Sequence, residues 1–398
     1  MSDTRSLMIL GAGIYQLPLI RAAKHMGLHT IVVSIPGPYP GFAEADEICY
    51  LDTRDEEGIL KEARLHQVSG ILTTGTDVAM RSIGRTCDEL GLSGISYAAA
   101  QRLTDKARMK TAFKSAGVSS SDFYIVYNEA EALEAANKLG YPVMIKATDS
   151  SGSRGISRID LAADVLRGFS YAQAASHANH FIVEKFARGT EIGLDAFVWD
   201  GQLKLCLPHT KHVYKTDKVT IPIGHSFPYP CSDTLNKKLR AEIEKLIRAS
   251  GANNCALNAD IFVNGNEQIS VIEAGGRCGA TTIPELITHS TGVSYYQEMI
   301  RAALGEEPHM DVFAMVPWTG MLICAPKNAR VTAIDDAAIA ALQSDELDIS
   351  LDIKPGDTIS VMRDGTDRIG QIIAKTDSVP LMHQHIDQIL RYIQLSEL

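Results

Sequence analysis

The chain has no excess of positive charge, few aromatic residues and no paired-cysteine motif, and each shortage removes a class of function. Lysine and arginine number 38 against 48 aspartates and glutamates, a net charge of −10. That balance argues against a nucleic-acid or membrane-surface role, while leaving room for a local basic pocket. No apolar run approaches the roughly 20 residues of a membrane span. The opening "MSDTRS" runs into a strand without a signal-peptide pattern, so a cytoplasmic protein is expected. The seven cysteines are scattered and never spaced C-x-x-C, the pattern of reduced thiols rather than of a disulfide framework. His209 with His212, and His383 with His385, have no metal-site company in sequence and read as loop or surface histidines. Aromatics at 6% and hydrophobics at 45% fit an α/β enzyme, and 398 residues allow two or three domains.

What is present begins with "LMILGAGIYQLPLIRAA", residues 7–23: an apolar run, a Gly-x-Gly, then a helical pattern. A dinucleotide fingerprint needs a third small residue for helix–strand packing and an acidic residue about 20 positions on for the ribose. The third position here is Gln16, and "TIVVSIPGP" ends its strand at Ser34 with no carboxylate in reach. The two glycines therefore read as a sharp strand-to-helix turn, not as a nicotinamide site.

Three regions differ in texture. Residues 1–98 alternate apolar β-branched runs with helices of 3.6-residue period, which predicts a doubly wound parallel sheet. Residues 99–308 mix helices with antiparallel strands: Thr104 is the expected N-cap of a helix stopped by Gly117, Asn128 with Glu131 resembles a capping box, and a helix is expected near 233–250. Residues 309–398 read as β-rich, with a final helix near 379–395. The expected class is α/β followed by α+β.

Four features carry chemistry. In "PVMIKATDSSGSRGI" an apolar strand delivers Lys146 at its end, where it needs an anionic partner or a path to water. The following Gly/Ser loop offers flexible backbone and hydroxyls to phosphates, or is a mere hairpin turn. Lys106 lies in the first turn of its helix, where a cation opposes the macrodipole unless an anion binds there. In "FIVEKFARGTEIGLDAF" a strand ends at Glu184-Lys185, and Glu191, Gly193 and Asp195 share a face of the next strand, although a solvated connector reads the same way. Finally "ALNADIFVNGNEQISVIEAGGR" reads as a hairpin about Asn264-Gly265. With a four-residue loop, Asp260 falls opposite Val271 and Glu273 opposite Asn258, the two carboxylates lying about 7–8 Å apart diagonally. Oxygen ligands on one face suit magnesium shared with phosphates, and a solvent-facing polar side is the competing reading.

These features, in this order, resemble the ATP-grasp superfamily over about residues 1–310, with a Rossmann-like domain ahead of the ATP-grasp domain as in biotin carboxylase-like members. The resemblance implies ATP phosphate contacts from Lys106, Lys146 and the loop Ser151, Gly152, Ser153 and Gly155. It implies adenine at Glu184, Lys185 and Ala187, ribose at Glu191, and metal ligands Asp260, Glu273 and Asn258. The family's second metal strand usually reads E-x-N-x-R, and Gly275 stands in place of its asparagine. Arg277 keeps the place of the arginine that contacts the transferred phosphoryl group or acyl-phosphate. "GHSFP" and "EAGGRCGATTIPEL" look like the amino-acid ligase branch, which implies His225 as a substrate contact or proton acceptor, beside Lys211 and Lys215. Cys278 reads as buried filler. The resemblance thus implies a ligase using ATP and Mg2+, with Mn2+ a substitute, that joins a small carboxylate to an amine through an acyl-phosphate. The alternatives are a bicarbonate- or formate-using relative and a nucleotide-binding regulator. A homodimer without nucleic-acid or membrane partners is the family expectation.

Overall fold

The computed structural model describes residues 5–397 apart from 151, 153 and 216–219. It divides into two compact units, one of Met1–Cys206, Cys231–Cys278 and Tyr296–His309, the other of Leu207–Pro230, Gly279–Tyr295 and Met310–Leu398.

The first unit opens with β1 (Ser6–Leu10), α1 (Leu17–His25), β2 (His29–Ser34), β3 (Glu47–Tyr50), α2 (Glu56–Leu65) and β4 (Gly70–Leu72), followed by α3 (Met80–Leu90) and α4 (Tyr97–Leu103). The strands are all parallel in the order β3-β2-β1-β4, as the alternating pattern predicts. Leu7, Ile9, Leu19, Ile20 and Val32 form its core. Gly11 takes a φ of +100°, which favours glycine. The Gly13 N–H donates to the Gln16 side chain at 3.0 Å, and Gln16 Nε2 donates to the Thr74 carbonyl. The residue at the fingerprint's third position thus folds back over the loop and satisfies the amide a pyrophosphate would need.

Next come α5 (Lys106–Ala116), β5 (Phe123–Val126), α6 (Glu129–Leu139), β6 (Val143–Ala147), β7 (Ile156–Ile159), α7 (Val165–Ala174) and β8 (Phe181–Lys185). The strands form an antiparallel sheet, β5-β8-β6-β7, around Val143, Ile145, Phe169 and Phe181. Asp105, not Thr104, caps α5: its carboxylate accepts the Arg108 N–H, while the Thr104 hydroxyl closes α4 on the Ala100 carbonyl. Gly117 ends α5 at φ +69°. Asn128 caps α6 through the Glu131 N–H, and the Glu131 carboxylate takes the Tyr127 N–H.

From β9 (Thr190–Trp199) the chain enters the second unit along β10 (Gln202–Lys215) and β11 (Thr220–Phe227). It returns in α8 (Asp233–Ser250) to build β12 (Cys255–Val263) and β13 (Ile269–Gly275), which with β9 are antiparallel in the order β13-β12-β9. The hairpin register differs from the expected one. Val263 pairs with Ile269 rather than Gln268, because the Asn264 side chain accepts the Asn266 and Gln268 N–H groups and holds a five-residue loop. A bulge between Asp260 and Ile261 then places Asp260 directly opposite Glu273, and Asn258 opposite Gly275.

In the second unit, α9 (Ile283–Thr291) precedes α10 (Tyr295–Ala303), whose residues from Tyr296 on belong to the first. Then follow β14 (Trp318–Cys324), β15 (Ala329–Ile334), α11 (Asp336–Ala340), β16 (Leu347–Leu351), β17 (Thr358–Ile359), β18 (Arg368–Ala374), α12 (Val379–Arg391) and β19 (Ile393–Ser396). Strands β11, β14, β18 and β16 are antiparallel neighbours, and β17-β15-β19 form a second small sheet. Met382, Ile386 and Ile389 of α12 pack on Met321, Ile323 and Ile372. The tail is β-rich as expected, and its last residues pair as a strand instead of extending the helix.

Candidate active site

Lys106 and Lys110 stand one turn apart on α5 and so leave the helix on one face. The Lys106 ammonium donates to the Ser150 carbonyl at 2.7 Å and lies 3.3 Å from Glu273 Oε2, so it ties the start of the Gly/Ser loop to β13. These acceptors offset its unfavourable place at a helix start. Lys110 was not singled out in the sequence, yet it is buried. Its ammonium sits 3.1 Å from Glu184 Oε2 and donates to Ser120 Oγ at 2.7 Å. Lys146, also buried, pairs with the other oxygen of Glu184.

This triad holds two ammoniums and one carboxylate away from water. Burial pushes the Lys146 pKa down, but Glu184, Glu273 and Glu191 outweigh it and leave it above the usual lysine value. Burial pushes Glu184 up, and the two lysines outweigh it and leave it below the usual range. For Lys110 burial wins over Glu184, and Lys146 adds to it, so its pKa falls. A buried surplus of positive charge is stabilised by an anion. The Lys146 strand leads to a loop in which Gly152 and Gly155 have φ of +67° and +66°. At Gly155 a Cβ would meet those of Ala175 and Ala147 at 2.8 and 2.9 Å, so only glycine lets the loop close there. Ser151 and Ser153 lie outside the described residues.

The half-exposed face of β13-β12-β9 is built from different chemistry. Asp260 faces Glu273 on one side and Gly193 on the other, Asn258 lies between Gly275 and Asp195, and Glu191 pairs with Phe262. The Asn258 amide donates to Asp195 at 2.9 Å, and its oxygen accepts from Arg277 Nη1 at 3.2 Å. Arg277 Nη2 donates to Asp77 Oδ2 at 2.7 Å, while the buried Asp77 Oδ1 has no hydrogen-bond partner among the described residues. Burial would lower the Arg277 pKa, and Asp77 outweighs it and raises it. A Cβ on Gly275 would lie 2.5 Å from Asp77 Oδ1. The space for a larger side chain at 275 is therefore taken by Asp77, a residue that sequence reading had no means to place there.

Elsewhere, Lys185 spends its ammonium on the Gly140 carbonyl and its N–H on the Asp122 carbonyl, leading to Ala187 just beyond the end of β8. Cys278 is buried. In the second unit His225 is buried on β11 with its Nδ1 3.1 Å from Nδ1 of His209, whose ring stacks on Phe227. Burial, with His209, Lys211 and His212 nearby, holds the His225 pKa well below the usual histidine value, so the imidazole is neutral near pH 7.

Residues 139–285 match the ATP-grasp domain family, and residues 321–396 match L-amino acid ligase C-terminal domain 2. The crystal structure of phosphoribosylglycinamide synthetase from Anaerococcus prevotii is 30% identical, covers 100% of both chains and superposes with a TM-score of 0.83. The L-amino acid ligase from Bacillus licheniformis is 15% identical over 100% of both chains with a TM-score of 0.80, a likeness of fold. Alanine–anticapsin ligase of Bacillus subtilis is 26% identical over 254 residues, 58% of this chain and 53% of that ligase. A relative this similar along the whole chain, joined to a matched ATP-grasp domain, shows that the chain belongs to the ATP-grasp family of ligases.

Proposed function

We propose that this protein joins an amino acid to an amine, activating a carboxylate with ATP as an acyl-phosphate. The observation that carries the reading is the pairing of a buried, positively charged triad with an acidic face, linked by the Lys106–Glu273 contact. In the first step a carboxylate oxygen attacks the γ-phosphorus and ADP leaves with the bridging electron pair. In the second an amine attacks the acyl carbon, phosphate departs with the C–O electrons, and the amine loses a proton. The protein needs no covalent nucleophile. Its part is to position the groups and neutralise charge at a loose phosphoryl transition state. Lys106 and Lys146 contact the ATP phosphates in this reading, together with Gly152 and Gly155 of the loop; Ser151 and Ser153 lie outside the described residues. Glu184, Lys185 and Ala187 border the adenine and Glu191 the ribose.

ATP-grasp enzymes work with ATP and Mg2+, and an all-oxygen donor set on neighbouring strands fits that ion. Asp260 and Glu273 would hold it, and Asn258 or the unpartnered oxygen of Asp77 would complete the set where Gly275 offers none. When bound, the ion neutralises charge on the phosphates; manganese prefers the same ligands. Arg277, steered by Asp77 and Asn258, is aimed at the acyl-phosphate or the amino-acid carboxylate. His225 is proposed as a contact for the substrate; its buried imidazole, held well below the usual histidine pKa, is a weak proton acceptor. An amino acid as donor is supported by the matched ligase C-terminal domain and by relatives named as alanine–anticapsin ligase and phosphoribosylglycinamide synthetase.

We further propose that residues 1–98, 99–308 and 309–398 act as the pre-ATP-grasp domain, the ATP-grasp domain and the β-rich C-terminal subdomain of a homodimer. No helix among the described residues is long and apolar enough to cross a membrane. The seven free thiols suit the cytoplasm. The test is hydroxylamine trapping with ATP, Mg2+ and a panel of amino acids and small carboxylates. A hydroxamate with an amino acid that disappears in Lys146→Ala supports the reading. Bicarbonate-stimulated ADP release without any hydroxamate would assign the one-carbon reaction instead.

A further inference from the structure

Far along the chain from the nucleotide residues, β3 and α2 bring together a cluster of a different kind. Cys49 and Glu47 are two apart on β3 and share a face, while Glu62 and His66 are four apart at the end of α2 and share another. Cys49 Sγ lies 3.8 Å from His66 Nε2, and Glu62 Oε2 lies 3.5 Å from the same nitrogen. The three ligand atoms all fall within 4.8 Å of one another. Tetrahedral zinc, with bonds of about 2.0–2.1 Å to N and O and 2.3 Å to S, sets N–O and N–S edges of about 3.3–3.6 Å. The two edges that meet at His66 Nε2, 3.8 and 3.5 Å, stand near that spacing.

The imidazole is also oriented as a ligand. Glu47 Oε2 lies 3.2 Å from His66 Nδ1, and Glu47 Oε1 lies 2.6 Å from His29 Nε2. A carboxylate accepting the Nδ1–H leaves the Nε2 lone pair facing Cys49 and Glu62, the arrangement that supports metal-bound histidines. Burial, Glu62 and Glu47 all push the Cys49 thiol up, and a divalent ion would reverse that by replacing its proton. His66 and Glu62 keep side-chain exposures of 20% and 25%, which leaves a path for an ion to enter.

We propose that Cys49, Glu62 and His66 form a zinc site, with solvent as fourth ligand and Glu47 orienting His66. Its sulfur and nitrogen donors set it apart from the oxygen-only face of β12 and β13, so it selects a softer ion than magnesium. Mechanically it clips an edge strand to a helix. β3 is four residues long, mostly exposed, and ends the order β3-β2-β1-β4. Binding releases one thiol proton to solvent.

The test titrates Co2+ into chelator-stripped, full-length protein. One equivalent is expected to give a thiolate-to-cobalt charge-transfer band with tetrahedral d–d bands, and Zn2+ to displace it. Cys49→Ser is expected to abolish the charge-transfer band with the other six cysteines still present. Glu62→Gln is expected to keep the band and weaken binding at least tenfold. No thiolate band in the unaltered protein, or a band that survives Cys49→Ser, would overturn the site. Should Cys49→Ser not fold, Glu62→Gln and His66→Gln carry the test, and unchanged Co2+ affinity in both would equally overturn it.

Discussion

The first unit holds two charged clusters made to opposite plans. Lys110, Glu184 and Lys146 are shut away from water with ammoniums in excess. Glu191, Asp260 and Glu273 crowd a half-exposed sheet face beside the buried Asp195, with carboxylates in excess, and Arg277 is steered there by Asp77 and Asn258. A buried cation can wait for its anion only if something partly neutralises it meanwhile, which is the place of Glu184. On the acidic face the Asn258 amide serves the buried Asp195 and the Lys106 ammonium serves Glu273, while solvent reaches the rest and screens it. The clusters differ in burial because they differ in what they await. The first should therefore be essential to folding as well as to turnover, and the second mainly to turnover.

The sharpest break of that contrast is Glu184→Gln, which removes the one carboxylate in contact with both buried ammoniums. Removing one partner of a buried pair costs about 3–5 kcal/mol, and denaturant unfolding is expected to show a loss of that size together with lost ATP use. The pH dependence follows from the same residue. A glutamate whose folded pKa is depressed contributes stability that is present above its unfolded value, near 4.5, and lost as pH falls through its folded value. Thermal melting across pH 2–7 (a range of about five units) should show this acid-side loss in the native protein and a flattened one in Glu184→Gln.

On the acidic face the order reverses. Glu273→Gln is expected to lower kcat about 10²–10³-fold, the size of losing one electrostatic contact to a transition state, while the melting temperature stays close to that of the native protein. Steady-state kinetics beside a melting curve check both halves.

A smaller effect is expected where the two side chains compete for space. Gly275→Asn drives its Cβ against Asp77 Oδ1, 2.5 Å away, and should cost about 1–3 kcal/mol as an overpacking change. Adding Asp77→Ala should recover part of that stability, and a double-mutant cycle measures the coupling. The smallest belongs to the loop that sets the register. Asn264→Ala removes acceptors for two N–H groups and should cost about 1 kcal/mol with turnover unchanged.

Lys146 and Lys106 were legible in the sequence because an apolar strand or a helix start is a costly place for an unpartnered ammonium. Lys110 was not, since a lysine one turn along a helix reads as a solvated face. Its burial depends on Glu184, 74 positions further on. The parallel order of β1 to β4 followed from the alternation of apolar runs and helices. The hairpin register did not, because neither the Asn264 side-chain contacts nor the bulge at Asp260 leaves a periodic trace. Gly275 reads in the sequence as a missing ligand, but its physical reason is Asp77, which reaches Arg277 across a sequence separation of 200. The Cys49 cluster escaped because its members come from a strand and a helix with no metal-motif spacing.

The most direct measurement of the central claim follows oxygen. The amino acid that gives a hydroxamate is labelled with 18O in its carboxyl group and turned over with ATP, Mg2+ and its amine, and the inorganic phosphate is then weighed. Activation through an acyl-phosphate requires one labelled oxygen to leave in each phosphate released. Amide formed alongside unlabelled phosphate would contradict it.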